Sequence, residues 1–301
     1  MIPFSKVTLA DRTWMEPILL AAGTKSADYS FVNIYAWAEY YHLLAARLAG
    51  RIVTRFSGGG CMVYSFPVGT GPLKPAVDAI LQDARERGEQ PVITGVTAEM
   101  ERQISLLYPD AYTVMPYPDG FDYIYSTEKL AELPGKKLHG KRGHLRKFEE
   151  THPDWTFAPL TAADVPDCRA LSQRWLSALD GDRRQAEAEA KVLEICFRDM
   201  EVLGMLGGVL RTGGSLAGFT MASAASPDTL DVHFEKACGE VEGAYAMVNR
   251  EFARMVRRQR PEILWLNRED DMGLENLRRA KRSYYPEEIL EKNALLWKSE
   301  Y

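Results

Sequence analysis

The strongest constraint on the fold is an order of elements that runs twice along the chain. In the first half, residues 11–22 and 30–40 have helical spacing. Strands are predicted at 43–48, 52–56 and 61–66, divided by Gly50 and by Gly58-Gly59-Gly60. A helix over 73–87 stops at Gly88, a strand covers 92–96, Thr97 caps a helix to Tyr108, and a strand covers 121–125. The second half reads as a strand at 155–159, helices at 163–179 and 185–203, and strands at 205–211, 216–222 and 230–237. It continues with a helix at 245–256 (stripe Tyr245, Val248, Phe252, Met255, Val256), a strand at 263–266, a helix at 273–283 and a strand at 289–297. Runs of strands crossed by helices predict an α/β (α+β) protein with mixed, mostly antiparallel sheets flanked by helices. The 301 residues suffice for two such units. The expected division is 1–133, a basic linker helix at 134–150, and a second domain at 151–301 that carries the site.

Composition excludes several other classes. Hydrophobic residues at 46% supply a real core, so a disordered chain is ruled out. No apolar run approaches the ~20 residues of a membrane span, and Asp11, Arg12 and Glu16 interrupt any signal-peptide pattern. The four cysteines are scattered without a CxxC, and no histidine has metal-ligand spacing, so structural thiols in a reducing cytoplasm and no metal site are expected. Net charge is -5, of which residues 1–134 carry -4. The rest holds basic clusters at 136–147, 250–260 and 278–282 on a nearly neutral background.

Four segments carry residues suited to chemistry. In the strand 230–237, Asp231, His233 and Glu235 share one face opposite Leu230, Val232 and Phe234. A partly desolvated carboxylate there is a candidate general base, Glu235 above all, with His233 beside it; a polar face on a water-filled gap is the plain alternative. The turn after it contains Gly239, Gly243 and Ala244 at a helix N-terminus, where free N–H groups receive phosphates, although Glu240 and Glu242 oppose an anion. The segment Asn267-Arg268-Glu269-Asp270-Asp271 lies between a strand and a helix and carries more charge than one cap needs. Downstream, Lys281 stands three residues from Tyr284, a candidate proton donor to a leaving group. The run 134–148, with Lys141 and Arg142, presents a positive surface between the halves, either a solvated charge run or a phosphate grip.

At these residues the sequence resembles a known family. Ser30-Phe-Val-Asn-Ile-Tyr-Ala-Trp37, Gly135-Lys-Lys-Leu-His-Gly-Lys-Arg142 through Phe148, His233-Phe-Glu-Lys236, and Asn267-Arg-Glu-Asp-Asp-Met-Gly273 through Tyr284 resemble the family related to the phosphatidylglycerol lysyltransferase C-terminal domain. The resemblance spans nearly the whole chain, and the Asn-Arg-Glu-Asp segment is its most specific part. It implies a tandem GNAT-like acyltransferase fold, similar to the Fem-type aminoacyl transferases that use charged tRNA. It does not extend to the membrane-spanning portion of full lysyltransferases, and Gly140 and Gly143 interrupt the basic junction. The expected activity is acyl or aminoacyl transfer to an amine or hydroxyl, with a small molecule or lipid head group as acceptor. Aminoacyl-tRNA or acyl-coenzyme A would be the co-substrate, with no permanently bound cofactor; a coenzyme A-dependent N-acyltransferase and a non-catalytic binding module are the alternatives. Glu235, His233 and Tyr284 would be catalytic. Gly239, Gly243, Ala244, Lys141, Arg142 and Lys281 would hold phosphates, and Asn267, Arg268, Glu269 and Asp270 would position substrate. Oligomeric state stays open.

Overall fold

Glycine turns and alternating apolar residues build the strands one after another along the first half. These are β1 (Ser5–Lys6), β2 (Leu44–Leu48), β3 (Arg51–Gly58), β4 (Cys61–Ser65), β5 (Val68–Gly69), β6 (Val92–Val96), β7 (Tyr112–Pro116) and β8 (Asp122–Ser126). The second half contributes β9 (Thr156–Pro159), β10 (Leu206–Thr212), β11 (Ser215–Ser226), β12 (Thr229–Ala237), β13 (Trp265–Asn267), β14 (Glu288–Leu290) and β15 (Asn293–Trp297). The computed structural model describes residues 1–177 and 183–298. Its strands form two mixed sheets, ordered β1-β2-β3-β4-β6-β15-β7, with β5 on β3, and β14-β8-β13-β12-β11-β10-β9.

The halves exchange strands. β8, from the first half, pairs antiparallel with β13 and β14 in the second sheet. β15, from the second half, lies antiparallel between β6 and β7 in the first. The run 289–297, expected as one strand, is therefore two, and Glu291 and Lys292 cross between the sheets. Alternating hydrophobicity looks the same on either side of a crossing, and neither Gly nor Pro marks this one. The division at 133 and 151 consequently does not separate two self-contained sheets. β7 and α5 (below) went unforeseen.

Ten helices cover the sheets among the described residues: α1 (Arg12–Ala22), α2 (Phe31–Ala36), α3 (Leu73–Glu86), α4 (Ala98–Leu107), α5 (Thr127–Glu132), α6 (His139–Thr151), α7 (Val165–Ser177), α8 (Arg184–Asp199), α9 (Ala244–Gln259) and α10 (Glu275–Arg282). The expected end of α7 at Leu179 lies outside the described residues. Ser30 caps α2 by accepting from Asn33 N, but the helix stops at Ala36, four residues before its expected end. In α9, Val248, Phe252, Met255 and Val256 are buried as the stripe requires, while Tyr245 is exposed. Burying each of those four contributes about 1.5–3 kcal/mol. The basic junction is helical only from His139, and Leu145 and Phe148 anchor it in the core with α9. Hydrophobic packing joins the halves, since Leu19, Val53 and Ile80 share one core with Phe197, Phe219 and Phe234. Among the described residues no helix is long and apolar enough to cross a membrane.

Candidate functional site

The polar face of β12 is central, because β12 lies between β11 and β13. β13 accompanies it from Thr229 to Asp231, and among the described residues the remainder of β12 has no strand partner on that side. Its pairing with β11 slips between Met221↔Phe234 and Ala222↔Val232, which leaves His233 in a bulge. From there His233 Nε2 reaches Ser223 Oγ at 2.8 Å. After β13 the chain turns sharply, with Glu269 (φ 55°), Met272 (φ 52°) and Gly273 (φ 72°) in the left-handed region. Lys281 holds the turn by donating Nζ to the carbonyls of Arg268, Glu269 and Asp270.

Two clusters result. In the first, Glu269 Oε1 lies 3.2 Å from His233 Nδ1 and accepts from Asn33 Nδ2 at 3.0 Å. Asp231 Oδ2 also accepts from Asn33 Nδ2, at 3.1 Å, and lies 3.5 Å from His233 Nδ1. The His233 and Asp231 side chains are buried, while that of Glu269 is 30% exposed. Burial, reinforced by the Glu269 charge, pushes the Asp231 carboxyl well above the usual range. Burial also opposes ionisation of Glu269, but the hydrogen bond and charge of His233, together with Asn33, outweigh it and hold that carboxyl low. Asp231, His233 and Glu269 each offer one donor atom to a common metal ion, all within 4.8 Å of one another, a cluster that sequence spacing did not reveal.

In the second cluster, Arg268 donates to Glu235 Oε1 at 2.6 Å and Asn249 Nδ2 to Glu235 Oε2 at 3.2 Å. The guanidinium lies over the rings of Tyr125 and Tyr284, and Lys141 lies 4.0 Å from the centre of the Tyr284 ring. Burial, then the Arg268 charge, lowers the Lys141 ammonium, and burial pushes the Tyr284 hydroxyl up to about 12. Glu235, the expected base, is therefore the counter-ion of a buried arginine, with both its oxygens engaged.

Other expected residues are placed differently from their foreseen roles. Asn267 is fully buried and turned inward: it donates to Lys25 O and Asp122 Oδ2 and accepts from Glu269 N, so it positions the turn. Lys281 is committed to the three carbonyls, and burial together with Arg268 lowers its ammonium to about 8. Arg142 donates to the carbonyls of Leu133 and Gly135. Gly243 and Ala244 start α9, but α6 lies against them: a Cβ on Gly243 would stand 2.9 Å from His144 O and 3.1 Å from Phe148 Cβ. Glu242 there pairs with Lys147, and Gly239 faces open space. Asp270, pushed up to about 6 mainly by burial, lies near Tyr41 and Tyr117. Asn33 and Ser223 were missed. Asn33 stands inside the family-like segment Ser30–Trp37 with no role assigned to it, and nothing distinguishes Ser223 within Ala222-Ser-Ala-Ala-Ser226.

Comparison with known proteins places this arrangement. The family model described as phosphatidylglycerol lysyltransferase, C-terminal, matches residues 21–294. No curated protein matches the sequence. A crystal structure of a conserved protein of unknown function from Bacteroides thetaiotaomicron is 33% identical, with a TM-score of 0.93, over 99% of this chain and 100% of that one. The structure of L-PGS from Bacillus licheniformis is 13% identical (TM-score 0.69) and covers 98% of this chain and 93% of that one. A tandem GNAT protein from the clavulanic acid biosynthesis pathway is 13% identical (TM-score 0.51) and covers 98% and 97%. The last two likenesses concern the fold, which is a tandem GNAT-like one of the kind acyl and aminoacyl transferases use.

Proposed function

The chain belongs to the phosphatidylglycerol lysyltransferase C-terminal family, and from that premise we propose that it transfers an aminoacyl group from charged tRNA to an amine or hydroxyl acceptor. The observation that carries this reading is the first cluster, a half-exposed carboxylate, Glu269, backed by the buried imidazole of His233. The acceptor's N–H or O–H would lie against Glu269. As its nitrogen or oxygen bonds to the acyl carbon, the proton passes to the Glu269–His233 pair, the ester C–O bond breaks, and the tRNA 3′-hydroxyl leaves with a proton. The hydrogen bond between Ser223 and His233 and the one that Asn33 donates to Glu269 keep the pair oriented without reorganisation during the reaction.

Charged tRNA is favoured over acyl-coenzyme A by the start of α9. Helix α6 lies against that N-terminus, and Glu240 and Glu242 stand beside it, an unfavourable seat for a pyrophosphate. On α6, Lys141 and Arg142 are committed within the fold, and it is the exposed Arg146 and Lys147 that suit a longer phosphate backbone. The acceptor is a small molecule or a lipid head group.

The test is transfer of radiolabelled amino acid from a panel of charged tRNAs to amines and anionic lipid head groups, with acetyl-coenzyme A as the parallel donor. Glu269→Gln is expected to lower transfer about 10²–10⁴-fold, and tRNA binding to weaken steeply with salt. Undiminished transfer by Glu269→Gln refutes the base assignment. Turnover with acetyl-coenzyme A and none with charged tRNA refutes the donor.

A further inference from the structure

The oxygens gathered around His233 outnumber the amide hydrogens that reach them. Asn33 Nδ2 carries two hydrogens and faces three acceptors: Ala27 O and Asp231 Oδ2, both at 3.1 Å, and Glu269 Oε1 at 3.0 Å. Asp231 is fully buried, and its second oxygen, Oδ1, has no hydrogen-bond partner among the described residues. A buried carboxyl of this kind either keeps its own proton or gives it up to a positive charge that reaches both oxygens.

The donor atoms are spaced to receive such a charge. His233 Nδ1 stands 3.5 Å from Asp231 Oδ2 and 3.2 Å from Glu269 Oε1, and all three lie within 4.8 Å of one another. Ligands about 2.1 Å from a common ion are about 3.0 Å apart along an octahedral edge and about 3.4 Å along a tetrahedral one. The separations of His233 Nδ1 from the two carboxylate oxygens match those edges. The imidazole is also suitably turned. In the tautomer that donates Nε2–H to Ser223 Oγ, 2.8 Å away, the Nδ1 lone pair is left for an ion, the usual outer-shell arrangement of a metal-bound histidine.

We propose that Asp231, His233 and Glu269 form a binding site for one divalent transition-metal cation of the zinc, cobalt or manganese class. One imidazole and two carboxylates suit these ions better than calcium. Bidentate coordination by Asp231 engages the unmet Oδ1, and Glu269, its side chain 30% exposed, provides the way in. A bound cation uses the same Glu269 and His233 atoms that the transfer reading gives to the acceptor's proton, so cation and proton exclude each other. The inference stands apart from the transfer reading, and its test uses no substrate.

The full chain is stripped with a chelator, dialysed and titrated with Co²⁺, then Zn²⁺. The expected result is one equivalent of Co²⁺ with visible d–d absorption, no thiolate charge-transfer band, and displacement by one equivalent of Zn²⁺ measured by mass spectrometry. His233→Ala and Asp231→Asn are expected to abolish binding. Ser223→Ala, which leaves the ligands in place, is expected to weaken it about 10- to 100-fold. Should His233→Ala fail to fold, the Ser223→Ala shift and the wild-type spectrum decide. No stoichiometric Co²⁺ binding by the wild-type chain, a thiolate band, or undiminished affinity in folded His233→Ala overturns the proposal.

Discussion

Replacing Lys292 with methionine should destabilise the protein more than most single changes. Lys292 lies at the crossing between β14 and β15, is 6% exposed, and donates Nζ to Asp122 Oδ1 at 2.8 Å and Asp28 Oδ1 at 2.7 Å. Asp122, at the start of β8, is fully buried. The pair therefore joins the two exchanged strands. Burial opposes the Lys292 charge, but Asp122 and then Asp28 hold its ammonium well above the ordinary lysine range. Without Lys292, Asp122 Oδ2 keeps Ala27 N and Asn267 Nδ2, but Oδ1 loses its donor and the charge loses its counter-ion. Breaking a buried ion pair from one side costs about 3–5 kcal/mol. Asp28, at 42% side-chain exposure, adds little to that. Urea unfolding of Lys292→Met, Asp122→Asn and the double variant measures the coupling. Because Asp122→Asn removes the stranded charge, the double variant should be more stable than the two single costs summed, by about 2 kcal/mol or more. The deficit should also depend on pH. Burial already raises the Asp122 carboxyl, and losing the ammonium raises it further. The folded variant then holds a proton that the unfolded chain releases, so its stability is greatest in acid and falls as pH rises through the raised value. The gap to wild type should therefore be smaller at pH 5 than at pH 8. A loss under about 1 kcal/mol, or additivity within about 0.5 kcal/mol, refutes the account of the crossing.

Gly243→Ala places a Cβ at φ +86°, 2.9 Å from His144 O, and should cost about 1–3 kcal/mol by calorimetry, from backbone strain and the contact with α6 together; unchanged stability refutes both. Lys281→Met strands the carbonyls of residues 268–270, so amide hydrogen exchange across 268–273 should rise. Since the folded Lys281 ammonium is held near 8, below its unfolded value, the unfolded chain binds the extra proton, and wild-type stability relative to Lys281→Met should rise between about pH 8 and pH 10.5. Glu235→Gln removes the counter-ion of buried Arg268 and should lower stability by about 3 kcal/mol; a variant as stable as wild type but without transfer activity would restore Glu235 as the base.

Legibility of the site varied with the distance over which its residues act. The alternation of Asp231, His233 and Glu235 on β12 is local and legible in the sequence, apart from the bulge at His233, and so is the concentration of charge after β13. Their pairing is not. Glu235 and Glu269 are both acidic residues near apolar strands, and only the turn fastened by Lys281 sends Arg268 to the first and leaves Glu269 to His233. Lys281 itself looked like a phosphate ligand because nothing in the sequence records that three backbone carbonyls would take its ammonium. Lys292 was a signal passed over, a lone lysine inside the apolar run 289–297.

Most elements and their order are present in the sequence, since period-2 alternation, glycine turns and helix caps are properties of neighbouring residues; β7, α5 and the break between β14 and β15 are not. Which sheet each strand joins, and which acid meets which base, emerged only in three dimensions. β8 and β15 carry no local mark of their exchange. Their places follow from where buried Lys292 meets Asp28 and Asp122 and from pairings across more than a hundred residues. The bulge at His233 and the turn at Glu269 likewise acquire meaning from each other, because a hydrogen bond between residues 36 apart depends on the whole intervening path of the chain.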